Sequence, residues 1–170
     1  AAAGSGALTL GIPGSAGVPP AAVADTVVVP FNDLEAMEAA FEADANRGQI
    51  AAVIVEPIAG NMGLVPPRPA YLPKLRTLCD AHGVLMIADE VLTGFGRTGR
   101  LFACEHADVT PDIMCMSKAV TGGYLPLGVT AATERIYDAF LSEDRTRTFF
   151  HGHSFTGNPL ACALAVASLE

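Results

Sequence analysis

Charged residues are scarce in this 170-residue sequence: Asp, Glu, Lys and Arg make up 16% of it, against about 25% in an average soluble domain. The shortage is one-sided. Lys and Arg number 10 against 18 Asp and Glu, for a net charge of −8, and lysine occurs only at Lys74 and Lys118. Such a chain is a poor binder of nucleic-acid phosphates, whose affinity rests on clustered cations. Long apolar runs are missing too: Ile50–Val55 and Val84–Ala88 fall far short of the roughly 18–20 residues that span a bilayer. The four cysteines, Cys79, Cys104, Cys115 and Cys162, form no C-x-x-C pair and no regular spacing, which fits reduced, mostly buried thiols of a cytoplasmic protein. His151 and His153 have no third ligand at metal spacing, so no metal site is expected.

What is present is apolar. Hydrophobic residues are 51% of the chain and its mean hydropathy is +0.38, which excludes an intrinsically disordered chain. With few charges to cover its surface, the chain is expected to be part of something larger than a free monomer. It opens Ala1-Ala2-Ala3-Gly4 without Met or a basic n-region, and it closes at Glu170 inside a helical pattern, which supports that expectation. The length fits one domain, and no internal repeat is visible.

Residues 1–25 are rich in Gly, Ala and Pro and read as irregular loop. Val27-Val28-Val29 is a short β-branched run stopped by Pro30, and Asn32 or Asp33 caps a helix from Leu34 to about Ala45. Ile50–Val55 and Val84–Ala88 are continuous apolar runs that suit strands buried on both faces of a parallel sheet, and Ile113–Met116 is a third. Ala70–His82 between them is a helix with Leu72, Leu75, Leu78 and Cys79 inward and Gly83 as its stop. Gly128–Ala132 reads as a strand and Glu134–Leu141 as a helix; Asn158-Pro159 is an N-cap and first-turn pair opening the helix Leu160–Glu170. Strands alternating with helices over long connections predict βαβ units, hence an α/β fold with a parallel sheet.

The three apolar runs lead into ionisable residues: Glu56, Asp89 and Lys118. Open parallel sheets bind ligands beyond the carboxyl ends of their strands, so neighbouring strands would gather two carboxylates and an amine at one edge. The plain alternative is that strand ends are simply where polar residues resume. Lys118 follows Ile-Met-Cys-Met-Ser, and an apolar setting favours the neutral amine, which can attack a carbonyl. Asp89 is the complement, since a carboxylate can keep a pyridine nitrogen protonated; the pair is what a pyridoxal phosphate (PLP) enzyme needs. Gly94-Phe95-Gly96-Arg97-Thr98-Gly99 matches G-x-G-x-x-G, but that pattern signals a dinucleotide only when a strand leads directly into it and a helix follows; here a turn past a pocket is the better reading. Ser154 and Thr156 stand just before a helix N-terminus, where hydroxyls and N–H groups can hold a phosphate or merely cap the helix.

Val55-Glu56-Pro57, Asp89-Glu90-Val91 with Thr93-Gly94-Phe95, Pro111-Asp112, Ser117-Lys118-Ala119, Gly122-Gly123 and Thr156-Gly157-Asn158-Pro159, in this order, resemble the class III PLP-dependent aminotransferases over essentially the whole chain. The resemblance implies the central part of the large PLP-binding domain of the aspartate-aminotransferase-like (fold type I) transferases. The N-terminal phosphate loop and the C-terminal small domain would then lie outside residues 1–170, and the residues by themselves would bind PLP weakly, as an inactive fragment. It implies that Lys118 carries the cofactor and shuttles the substrate proton, that Asp89 binds the pyridine nitrogen, and that Val91 packs against the ring. It places Glu56 near the substrate and has Ser154 donate to the phosphate across a homodimer interface. The amino group would pass from a small-molecule donor amine to a keto or aldehyde acceptor. Within the family the chain divides. Residues 3–67 are similar to glutamate-1-semialdehyde 2,1-aminomutases of tetrapyrrole synthesis. From about Ile87 onward, GFGRTGRLFACEH, TGGYLP and TFFHGHSFTGN resemble the 8-amino-7-oxononanoate (diaminopelargonic acid) aminotransferases of biotin synthesis. The second half holds Asp89, Lys118 and Ser154, so a transaminase is the leading expectation and the aminomutase its alternative.

Overall fold

A computed structural model of the chain describes residues 17, 19, 21, 25–43, 48–152 and 154–170. The loop expected over residues 1–25 lies mostly outside these, as do the end of the first predicted helix at Ala45 and one of the paired imidazoles, His153.

Helix α1, Leu34–Glu42, starts at Asp33, whose Oδ1 accepts the Ala36 N–H at 2.9 Å. Asn32 is therefore not the cap. It takes a left-handed turn (φ +68°) and ties two distant segments, donating to the Pro66 carbonyl at 3.2 Å and accepting from the Arg68 N–H at 2.8 Å. The run Val27–Val29 joins no strand. Strand β1, Ala52–Val55, is followed by helix α2, Tyr71–His82, and strand β2, Leu85–Asp89. Gly83 ends α2 in the left-handed conformation (φ +66°), and the next N–H, of Val84, returns to the Cys79 carbonyl at 2.9 Å. Strand β3 is Ile113–Met116, strand β4 is Val129–Ala132, helix α3 is Glu134–Asp138 and helix α4 is Pro159–Leu169. Helix α3 stops short of the predicted Leu141.

The sheet runs β1-β2-β3-β4, with the first three strands parallel and β4 antiparallel to β3. The predicted α/β fold is therefore present. Its first parallel connection is the right kind, strand–helix–strand, but the second crosses over through loop and a 3-10 turn, Ala103–Ala107. Helix α2 packs on one face of the sheet. Tyr71, Leu72, Leu75 and Cys79 join Val55, Met86 and Val109 in the core, with Leu34 and Met37 of α1 packed behind them. Leu75, Cys79 and Met86 are wholly buried, and burying a leucine contributes about 1.5–3 kcal/mol.

The opposite face is thinner, contrary to the expectation of strands buried on both sides. Ile54 is 65% exposed beside buried Val55, and Leu85 and Ile87 are half-buried between the buried Val84, Met86 and Ala88. A continuous apolar run shows what a strand tolerates on each face; it does not show what lies against it.

Asp112, just ahead of β3, ties the sheet together at the end where β2 and β3 begin. Its Oδ2 accepts the Met86 N–H at 2.8 Å and Arg76 of α2 at 2.7 Å; its Oδ1 accepts Arg135 of α3 at 2.7 Å. The Asp112 and Arg76 side chains are only 12% and 16% exposed, whereas Arg135 is 68% exposed, so the inner pair carries most of the energy. Burial pushes the Asp112 carboxyl up, but the Met86 N–H and the two guanidinium groups outweigh it and hold it below the usual carboxylate range. A carboxyl lowered by folding stabilises the fold above its unfolded value of about 3.9, and that contribution is lost as pH falls through the folded value. Asp112→Asn is expected to cost about 3 kcal/mol at neutral pH by taking from Arg76 its better-buried charge partner and leaving it only the exposed Asp80, 2.7 Å away. The deficit relative to the native protein should shrink as pH drops below about 4. Urea unfolding of both proteins at pH 7 and pH 3 measures the two quantities.

Candidate active site

The parallel register brings the predicted residues to one edge. Val55 pairs with Ala88 and Asp89 with Cys115, so Glu56 leaves β1 beside Asp89, and Ser117 and Lys118 follow β3 on the other side of it. Asp89 lies on the sheet face of Ile54 and Ile87, the thinner one, away from the α2 core.

Each group is set by short local bonds. The Asp89 Oδ1 accepts the Val91 N–H at 3.0 Å, so the carboxylate and the residue expected against a cofactor ring form one turn. No protein donor reaches the other Asp89 oxygen among the described residues. Burial, and then the nearby Asp89 charge, hold the Cys115 thiol above its usual range. Glu56 is half-buried, and its Oε2 accepts the Gly60 N–H at 2.9 Å, which closes the loop after β1. That loop packs against the one after β2: a Cβ on Gly60 would sit 2.1 Å from a Leu92 methyl.

Lys118 opens a 3-10 turn, Lys118–Thr121, with a left-handed backbone (φ +39°). It is exposed, so the apolar run before it does not enclose it as the sequence predicted; Met116 is buried, but the turn carries the chain out of the sheet. Its amine makes no ion pair among the described residues. Ser154 is exposed in the turn over 154–157, and no hydrogen bond joins it to Glu56, Asp89 or Lys118. Just beyond, Asn158 caps α4 as predicted, its Oδ1 accepting the Leu160 and Ala161 N–H groups at 3.1 Å each.

Sequence reasoning passed over Glu90. It is completely buried, and its carboxylate accepts the Cys104 N–H at 2.8 Å, the Ala103 N–H at 3.0 Å and the Thr93 hydroxyl. It thus fastens the loop over residues 91–102 to the strand end that carries Asp89. Burial and the Glu90 charge push the Cys104 thiol up to about 12, which makes it an inert packing group. Gly94 is demanded by the same fold, since a Cβ there would stand 2.9 Å from the Glu90 carbonyl oxygen. The 94–99 glycines turn the loop back, with the Gly96 N–H meeting the Leu101 carbonyl at 3.2 Å. The chain then enters a 3-10 turn and not an α-helix, so the dinucleotide context is absent. Glu90→Ala would strand two buried N–H groups and a hydroxyl and is expected to cost about 3–5 kcal/mol. Denaturant unfolding gives the total, and faster hydrogen exchange at the Ala103 and Cys104 amides locates it.

Known proteins are similar to this chain in sequence and fold. The family described as aminotransferase class-III matches residues 5–170. An adenosylmethionine-8-amino-7-oxononanoate aminotransferase of Geobacter sulfurreducens is 53% identical over 129 residues, covering 75% of this chain and 28% of its own length. One of Synechococcus elongatus is 54% identical over 133 residues, covering 78% and 31%. The chain thus spans less than a third of these relatives. Among solved structures, an ornithine aminotransferase of Toxoplasma gondii, with partial occupancy of PLP at its active site, superposes with a TM-score of 0.74 at 37% identity, over 84% of this chain and 31% of that one. Both curated relatives bear the name of the transaminase that the second half of the sequence resembles, which does not favour the aminomutase. With its family pattern matched along almost the whole length and half-identical relatives over three quarters of it, the chain belongs to the class III aminotransferases.

Proposed function

We propose that these residues are the lysine-bearing central part of the large domain of a PLP-dependent aminotransferase that aminates 8-amino-7-oxononanoate, with adenosylmethionine as amino donor. The observation that carries this reading is the pair on neighbouring strand ends, Asp89 and Lys118, each with a reactive atom that no described residue occupies. A carboxylate oxygen without a donor suits a protonated ring nitrogen, and an unpaired amine suits an aldehyde, so the residues present fit the cofactor. The names and identities of the two curated relatives support the substrate pair.

When bound, PLP supplies an aldehyde for covalent attachment and a ring that draws charge from the amino-bearing carbon. Lys118 Nζ would hold the cofactor and, once free of it, would take the proton from the substrate Cα. Asp89 would keep the ring nitrogen protonated through its oxygen that has no donor, the other oxygen being held by the Val91 N–H. Val91 would pack against the ring and Glu56 would border the substrate, with its loop shut by Gly60. Ser154 donates to the phosphate of the partner subunit in a cytoplasmic homodimer. Exposed Phe149, Phe150 and Phe155, all within five residues of it along the chain, support a surface of that kind. The exposure of Lys118 favours a second reading for residues 1–170 alone, namely weak cofactor binding and little turnover until other surfaces enclose the amine.

Borohydride reduction of the PLP-loaded intact protein, followed by peptide mapping, is expected to find the cofactor fixed to Lys118. Label at Lys74, or none, would refute the assignment. Lys118→Ala should abolish transfer from adenosylmethionine to 8-amino-7-oxononanoate, and Asp89→Asn should lower kcat by about 10²–10⁴.

A further inference from the structure

Lys118 is held in a conformation that lysine does not choose by itself. Its φ of +39° lies in the left-handed region, where a side chain crowds the following carbonyl, and such residues persist only where the surroundings over-determine them. Two hydroxyls bracket it. The residue before it, Ser117, donates to the Leu127 carbonyl at 2.6 Å, and the last residue of its turn, Thr121, donates to the Leu125 carbonyl at 2.5 Å. Thr121 is only 2% exposed and Ser117 is half-buried, so water competes poorly for either bond.

The turn is closed inside the bracket as well. The Val120 N–H meets the Ser117 carbonyl at 3.2 Å and the Gly122 N–H meets the Ala119 carbonyl at 2.9 Å. Gly122 and Gly123, both at positive φ (+62° and +84°), let the chain reverse so that residues 125–127 come back to receive the two hydroxyls. The hydroxyls sit on either side of Lys118, and both bind the same returning segment.

We propose that Ser117 and Thr121 are positioning residues that clamp the Lys118 turn to residues 125–127 and so set the direction in which the lysine leaves the backbone. The proposal rests on the reading of Lys118 as the cofactor-bearing lysine. Released from the clamp, Lys118 relaxes toward an ordinary backbone conformation, and its amine, at the end of a four-carbon stem, is displaced from the position in which attack on an aldehyde is fast.

The test uses the intact protein stripped of cofactor and reloaded with PLP. The rate at which the visible absorption band appears, its pH midpoint, and the borohydride-trapped fraction at Lys118 are recorded for the native protein, Ser117→Ala, Thr121→Val and Thr121→Ser. Thr121→Val keeps the shape and removes the donor, whereas Thr121→Ser keeps the donor. The expected result is loading slowed about tenfold or more in Ser117→Ala and Thr121→Val, with a moved pH midpoint, and near-native behaviour in Thr121→Ser. If the native protein is trapped at Lys118 while Ser117→Ala and Thr121→Val load at its rate with the same pH midpoint, the clamp only closes a loop and the proposal falls. It falls equally if Thr121→Ser is as slow as Thr121→Val. If Thr121→Val does not fold, Ser117→Ala against Thr121→Ser decides by the same readouts. Trapping of the native protein at another lysine overturns the assignment of Lys118 itself, and the clamp proposal with it.

Discussion

The buried carboxylate of Glu90 is the interaction on which the arrangement of the candidate site depends. A charge taken fully out of water is tolerated only when its oxygens are satisfied, and Glu90 meets that condition with two backbone N–H groups and a hydroxyl. The donors come from Thr93 on one side of the loop and from Ala103 and Cys104 on the other, so meeting the electrostatic requirement also closes the loop. The closed loop leaves no room for a side chain at Gly94 and brings Leu92 against Gly60 of the preceding loop. Asp89, one residue earlier, then takes its own partner, Val91, from the first stretch of that fixed loop. The order of dependence runs from a buried charge to a loop, and from the loop to the carboxylate left at the surface of the sheet.

Two small groups of charged residues stand at opposite ends of the sheet. Where β2 and β3 begin, Asp112 holds Arg76 and Arg135 and joins two helices to two strands. Arg76 also reaches the exposed Asp80, so two carboxylates meet two guanidinium groups there. Where the parallel strands end, Glu56, Asp89 and Lys118 are neighbours by register, yet none of them pairs with another in an ion pair among the described residues. A site meant to receive a ligand needs this condition, because a carboxylate and an amine that neutralised each other would have to be separated before either could act.

The parts of this design that were legible in the sequence are those written in residue types. The strand expected over Val84–Ala88, the Asn158 cap and the Gly83 stop come from patterns whose physics is local, and the strand-end reading of Asp89 and Lys118 followed from where the apolar runs stopped. Glu90 was missed because two of its three donors are backbone N–H groups of Ala103 and Cys104, and a backbone donor looks the same at every residue. The available signal was a second acid directly after a strand, in a chain with few charges, followed three residues later by a hydroxyl. Asp112 stood out only as half of a Pro-Asp pair, since its guanidinium partners are 36 positions before and 23 after it. The exposure of Ile54 and Lys118 was beyond reach for another reason. Hydropathy records the preference of a segment, while burial depends on what is packed against it.

That distinction bears on the reactivity of Lys118. Two things make a lysine a good nucleophile at neutral pH: a surrounding that disfavours the ammonium, and a geometry that aims the amine. The backbone of Lys118 is fixed by its turn and by the hydroxyls that flank it, while its side chain stands in solvent. Aim is built from short-range bonds within about ten residues, so a segment of the fold can carry it alone. Desolvation requires surfaces on every side, and no turn or strand end can supply it by itself. The same division holds for Asp89, whose one oxygen is set by its neighbour two residues on and whose other oxygen meets no donor among the described residues. On the proposed reading, the described residues would supply the orientation of the chemistry, and the enclosure that Lys118 lacks among them would come from surfaces packed against the thin face of the sheet.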